Sequence, residues 1–177
     1  MKKILTDDFG IEKNDWGYYF TANINFLEQN SELLLNYDTE DKVSETELKD
    51  ILSKSLEKIN NILEKAEKNR SQLMELLKEK DYINLVTEWV KWEEGGIKAE
   101  EEENCYFING TKVYTPIAEK DFEKSMNFGE IGADIYSDGE TENISVYITF
   151  EPDYFAGHCI ECYIDENGNF LVNGLAG

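Results

Sequence analysis

The first regular pattern along the chain has a period of two. Trp16, Tyr18, Phe20, Ala22 and Ile24 alternate with Gly17, Tyr19, Thr21, Asn23 and Asn25, which predicts a strand with one buried face. Glu28-Gln29-Asn30-Ser31 reads as a polar turn, Leu33 to Leu35 open the next strand, and Phe9 to Glu12 add an edge strand ahead of them. The period then lengthens to about 3.6. Ser44-Glu45-Thr46-Glu47 has the form of a capping box, and Leu48, Ile51, Leu52, Leu56, Ile59, Ile62, Leu63 and Ala66 follow as one stripe of an amphipathic helix. Asn69 to Ser71 bend or break it. A second helix runs through Leu73, Met74, Leu76, Leu77, Tyr82, Ile83, Leu85, Val86, Trp89 and Val90 and stops at Glu93-Glu94-Gly95-Gly96.

Beyond Gly96 the period returns to two. Tyr106-Phe107-Ile108 and Lys112-Val113-Tyr114 flank Asn109-Gly110, a pair suited to a two-residue hairpin because both positions need positive φ. Thr115-Pro116 reads as the N-cap and first residue of a short helix through Ile117, Asp121, Phe122 and Met126. Strands are expected over Ala133 to Tyr136, Ile144 to Phe150, His158 to Ile164 and Phe170 to Leu175, with turns at Ser137-Asp138-Gly139 and Asp165-Glu166-Asn167-Gly168. The predicted fold class is α+β, as one domain over 1–177. Antiparallel sheet from an N-terminal meander (1–38) and a C-terminal one (130–177) packs against two central helices (44–94), with an inserted hairpin and short helix (105–126).

Composition adds charge to this picture. The 177 residues hold 17 basic and 38 acidic side chains, a net charge of −21, together with 3 Trp, 10 Tyr and 9 Phe. Aromatic and aliphatic residues at this level support a packed core rather than an acidic disordered chain. The deficit of Lys and Arg argues against direct nucleic-acid binding and against an anionic membrane surface. No stretch is long and apolar enough to span a membrane, and the N-terminus lacks the apolar core of a signal peptide, so a cytoplasmic location is expected. The charge is also uneven. Residues 1–92 carry 13 basic and 19 acidic residues, and residues 93–177 carry 4 and 19, so a net −15 falls in the second half.

Specific chemistry is sparse. Cys159 and Cys162 form a Cys-x-x-Cys, but on a strand residues three apart face opposite ways, so a shared metal or an easy disulfide is not expected. With Cys105 as the one further thiol, no four-ligand zinc set arises. Asp165 to Asn169 lacks the Gly and Glu that a calcium loop places at its sixth and twelfth positions. Asp138, Glu140 and Glu142 read as a solvated turn before they read as cation ligands. No phosphate-binding glycine loop and no nucleophile elbow is present, and no cofactor, metal ligand or catalytic residue is assigned. Trp89 is expected in the core and Trp92 at an exposed helix end.

Asp153-Tyr154-Phe155-Ala156-Gly157-His158-Cys159-Ile160-Glu161, then Asp165-Glu166-Asn167-Gly168 and the terminal Leu175-Ala176-Gly177, resemble the bacterial domain-of-unknown-function family 2262. Asp8-Phe9-Gly10, Trp16-Gly17-Tyr18-Tyr19 and the stretch from Leu85 to Trp89 are similar to the same pattern, whereas Ile97 to Tyr114 departs from it as an insertion would. The resemblance implies an α+β bacterial cytoplasmic protein and transfers no activity. Two functional readings follow. One is a non-enzymatic acidic binding module, an immunity protein or inhibitor that masks a basic surface of a toxin or nucleic-acid enzyme through Trp92, Glu93, Glu94, Glu100, Glu101, Glu102, Glu103, Asp138, Glu140 and Glu142. The other is a small-ligand binder or enzyme built on Asp153, Tyr154 and His158.

Overall fold

The structure, a computed structural model, describes residues 2–92 and 95–177. Its main sheet has seven strands, β1 (Gly10–Lys13), β2 (Gly17–Phe26), β3 (Gln29–Asp38), β7 (Met126–Ile135), β8 (Thr141–Phe150), β9 (Cys159–Ile164) and β10 (Phe170–Ala176), in the order β1-β2-β3-β7-β8-β9-β10. Between β3 and β7 come α1 (Glu45–Lys68), α2 (Arg70–Glu79), α3 (Tyr82–Lys91), a small sheet of β4 (Ile97–Lys98), β5 (Cys105–Ile108) and β6 (Thr111–Tyr114), and α4 (Glu119–Ser125). The α+β class is as the sequence patterns indicate. The two meanders form a single sheet, joined by parallel pairing of β3 with β7, Leu33 beside Ile131 and Leu35 beside Ala133. All other strand pairs are antiparallel.

Helix α1 forms as its sequence dictates. Ser44 Oγ accepts from the Glu47 amide at 3.3 Å, and the Glu47 carboxylate accepts from the Ser44 amide at 2.9 Å. Every apolar residue of its stripe, from Leu48 to Ala66, is buried. That stripe covers one face of the sheet, where Phe20, Leu33, Leu35, Ile131, Val146, Ile148, Ile160 and Cys162 are buried in the same core.

Three hairpin tips are fastened to α1 and the start of α2. Between β2 and β3, the Leu27 amide donates to Glu67 Oε1 at 3.2 Å and Arg70 pairs with Glu28. Between β7 and β8, Gly139 lies against Lys54 while Glu140 pairs with Lys58. Between β9 and β10, Lys65 Nζ donates to the Glu166 carbonyl at 3.0 Å and Asn69 Nδ2 to the Gly168 carbonyl at 2.9 Å. In that last turn Asp165 accepts from the amides of Asn167 and Asn169 and from Asn169 Nδ2. These bonds, the Asn169 side chain foremost, hold the Asp165 carboxyl below its ordinary range.

Several local expectations are corrected. The β2–β3 turn is Leu27-Glu28, both at positive φ (50° and 67°), and Gln29 to Ser31 already belong to the strand. Trp16 precedes β2 and is 74% exposed rather than on the buried stripe. Three helices, not two, fill the central segment, because Asp81 adopts φ 63° and separates α2 from α3. The last of them ends at Lys91, and Glu93 and Glu94 lie outside the described residues. Thr115-Pro116 does not open a helix. The Thr115 amide is tied to the Asn104 carbonyl, the chain bends at Thr115-Pro116, Ala118 is extended, and α4 begins at Glu119. Strand β7 is ten residues long, and β9 begins one residue after His158. The Asn109-Gly110 hairpin forms with φ of 48° and 82°, as its sequence predicts.

Gly168 combines positive φ (76°) with an approach so close that an added Cβ would lie 2.4 Å from Lys65 Cβ and 2.6 Å from the Ala66 amide nitrogen. Gly110 has a similar φ and open space around it. Gly168→Ala is therefore expected to cost roughly 2–4 kcal/mol in urea unfolding, from backbone strain plus overpacking, and Gly110→Ala about 1 kcal/mol from strain alone. Equal losses would show that the approach to α1 carries no stability.

Candidate acidic sheet face

The face of the sheet turned away from α1 is polar, and no described helix packs over it. Its middle is built from three cross-strand rows. Glu32, Glu130, Tyr147 and Glu161 form the first, and Leu34, Gly132, Ser145 and Tyr163 the second. The third begins with Asn36 and Asp134, and a register shift in β8, with Asn143 at φ 54°, turns the Asn143 side chain onto Asp134. Glu32 and Glu130 are exposed and the other members half-buried or exposed, apart from Ser145 on the floor.

Two carboxylates of these rows, Glu161 and Asp134, are oriented by neutral donors. Glu161 accepts from Tyr163 Oη at 3.1 Å, Tyr147 Oη at 3.5 Å and Asn173 Nδ2 at 2.5 Å. Asp134 accepts from Asn36 Nδ2 and Asn143 Nδ2, each at 3.3 Å. The bond to Glu161, then burial and the carboxylate's charge, raise the Tyr163 phenol above its ordinary pKa. None of these bonds neutralises charge. No Lys or Arg of the seven strands lies on this face: Lys13 is their one basic residue, and it reaches back over the Tyr18 ring on the core side.

The cations sit elsewhere. Nine of the 17 basic residues fall between Glu45 and Lys91. Ion pairs among the described residues draw their cations from helices, as in Lys49–Glu45, Lys54–Asp50, Lys68–Glu64, Lys78–Glu119 and Lys91–Glu88, or from β6, as in Lys112–Glu102. The helical layer thus largely neutralises itself and the open sheet face does not.

The acidic residues singled out in the sequence lie on separate parts of the fold. Glu100 to Glu103 occupy the exposed β4–β5 connection, where Glu102 is engaged by Lys112 and Tyr114 Oη. Trp92 follows α3, is 59% exposed and lies tilted against Trp89, which itself packs against the core. Asp138, Glu140 and Glu142 surround the β7–β8 hairpin but do not converge. Asp138 Oδ1 accepts from the Glu140 amide, Glu140 pairs with Lys58, and Glu142 accepts from Tyr136 Oη. Among the described residues no group of three His, Cys, Asp or Glu is placed to hold a metal ion.

Asp153, Tyr154 and His158 also point apart. Asp153 accepts from the Gly157 amide at 2.8 Å, Tyr154 is buried against Phe150, and the His158 ring lies on Trp89 with centroids 5.4 Å apart. Cys162 is fully buried and its thiol is pushed up to about 12, chiefly by that burial, while Cys159 on the opposite face donates toward the Ala176 carbonyl. Neither thiol has the environment of a nucleophile. Sequence reasoning missed Glu32, Glu130, Asp134, Glu161, Tyr147, Tyr163 and Gly132. The available signal was the alternation itself, since the alternate positions of every long strand hold mostly Glu, Asp, Asn, Tyr, Ser or Thr and never Lys.

A family model described as an uncharacterised protein conserved in bacteria, domain of unknown function 2262, matches residues 10–175, including the segment Ile97 to Tyr114 that forms the small sheet. No curated protein and no solved structure matches the chain.

Glu32 and Glu130 stand side by side on adjacent strands, and the seven strands bring no Lys or Arg to their face. Like charges placed opposite one another on adjacent strands destabilise a sheet. Glu130→Gln is therefore expected to raise the thermal midpoint at low salt, with the gain shrinking at 1 M salt as the repulsion is screened. A lower midpoint at both salt concentrations would contradict uncompensated repulsion on this face.

Proposed function

Because the chain belongs to the bacterial domain-of-unknown-function family 2262, whose description assigns no activity, we propose its function from the geometry: it is a non-enzymatic acidic binding module, an immunity protein or inhibitor that masks a basic surface of a toxin or nucleic-acid enzyme. One observation carries the reading. A broad sheet face holds Glu32, Glu130, Asp134 and Glu161 among tyrosines and asparagines, without a lysine or arginine. A soluble protein needs acidic residues for solubility, but intermixed charges of both signs serve that end, as on the helical layer here. Segregation onto one face instead creates a field that steers a basic partner and sets its orientation. Tyrosines suit the same role, because they give rigid contact area with a polar tip. The membrane is not the partner we propose. No described helix is long and apolar enough to cross one, and the face has the wrong sign for an anionic lipid surface. A cytoplasmic setting belongs to the same proposal.

The reading centred on His158 is the weaker one, since its three residues do not converge on one space.

The adjacent gene product is the partner to test, by association kinetics against the purified chain at 50 and 300 mM salt. The expected on-rate falls by about tenfold or more between them, as steered association does. Triple reversal (Glu130→Lys, Asp134→Lys, Glu161→Lys) is expected to slow association a further ~100-fold, whereas reversal of Glu101 and Glu103 has little effect. Binding that ignores both salt and the triple reversal would remove the open face from the account.

A further inference from the structure

We propose that the hollow at the centre of the open face receives an arginine side chain of the partner, guanidinium first. The proposal rests on the binding reading above and names the chemistry of the contact.

The hollow has a volume of about 350 Å³ and is lined by Asn36, Asp134, Asn143, Tyr147, Glu161 and Tyr163, among others. Its floor is Gly132, flanked by Leu34 and Ser145 in the same cross-strand row. Gly132 sits in the interior of a ten-residue strand with no positive φ to require glycine, and an added Cβ would lie 3.0 Å from Ser145 Oγ. Glycine there costs strand stability, and within a sheet it marks a bulge, here the register shift between Gly132 and Asp134, or the close approach of another group. Here it is what leaves the row concave.

The walls suit a guanidinium better than an ammonium. Carboxylates stand on both sides of the glycine row, Glu130 and Glu161 on one and Asp134 on the other. Asp134 and Glu161 are held by amides and phenols, so their orientation is fixed while their charge is unmet. A planar group with five N–H donors engages two such carboxylates at once, and phenol rings offer it a stacking surface. A lysine ammonium brings the same charge but neither the fork nor the plane. The side-by-side Glu32 and Glu130 are unfavourable in the free chain and gain from an arriving cation, which makes the face a binding surface rather than a stability element.

The probes are two peptides of equal charge, hexa-arginine and hexa-lysine, titrated into the full chain by fluorescence anisotropy at 50 mM salt. The wild-type chain is expected to bind hexa-arginine about tenfold more tightly than hexa-lysine. Gly132→Val fills the floor without altering charge, and is expected to abolish that preference while leaving hexa-lysine affinity within about twofold. Gly132→Ala serves the same purpose if the valine variant unfolds earlier. Asp134→Asn and Glu161→Gln are expected to weaken arginine binding more than lysine binding, and Glu101→Gln to leave both within about twofold of wild type. Equal affinities in the wild-type chain, or a preference that survives Gly132→Val, overturn the hollow and leave the basic-partner reading standing. Absence of binding to both peptides overturns the hollow and counts against the basic-partner reading as well.

Discussion

The structure depends on one helix. The apolar stripe of α1, from Leu48 to Ala66, closes the core over the sheet, while its polar flank fastens three separate hairpin tips. Each fastening is small. Together they fix where β2–β3, β7–β8 and β9–β10 stand relative to one helix, and hence to one another. Parallel pairing of β3 with β7 is the remaining join, made by two strands about ninety residues apart in the chain. Long-range pairing of this kind carries a loop-closure cost that local signals do not offset. The helix supplies a common surface on which both halves of the sheet already bury their apolar sides.

The same arrangement sorts the charge. Helix α1 and its neighbours have solvent-facing flanks where lysine and glutamate sit at i and i+4, so basic residues collect there in pairs. The sheet keeps one face for the core and one for solvent, and the second has no lysine to spread the charge. Uneven charge along the chain is the linear shadow of this layering. The C-terminal half is the more acidic because the helices lie before it. The open face nonetheless draws Glu32 and Asn36 from the N-terminal half and Glu130, Asp134 and Glu161 from the other.

That contrast explains what was legible beforehand. Helix α1 could be read in full, since its cap and stripe are local and unambiguous. So could the Asn109-Gly110 and Asp165–Gly168 turns, whose residues are selected by backbone geometry. The turn at Leu27-Glu28 could not, because neither residue favours positive φ and long-range bonds to Glu67 and Arg70 hold it there. Thr115-Pro116 carried a helix-start signal that the hairpin beside it overrode. The hollow was illegible for a deeper reason. Gly132, Ser145 and Tyr163 become neighbours only through strand register, and the join to Leu34 only through the parallel pair. Acidic runs such as Glu100 to Glu103 are conspicuous in a sequence, whereas carboxylates spaced by strand register are not.

The central claim is that the sheet face opposite α1 is the surface this protein presents to a basic partner. Amide hydrogen exchange of the full chain, with and without saturating hexa-arginine, tests it most directly. The account predicts added protection in the middle of β3, β7, β8 and β9, with α1, α2 and the β4–β6 sheet unchanged. Protection concentrated at the end of α3 and the β4–β5 connection, with the four strands unaffected, would contradict it.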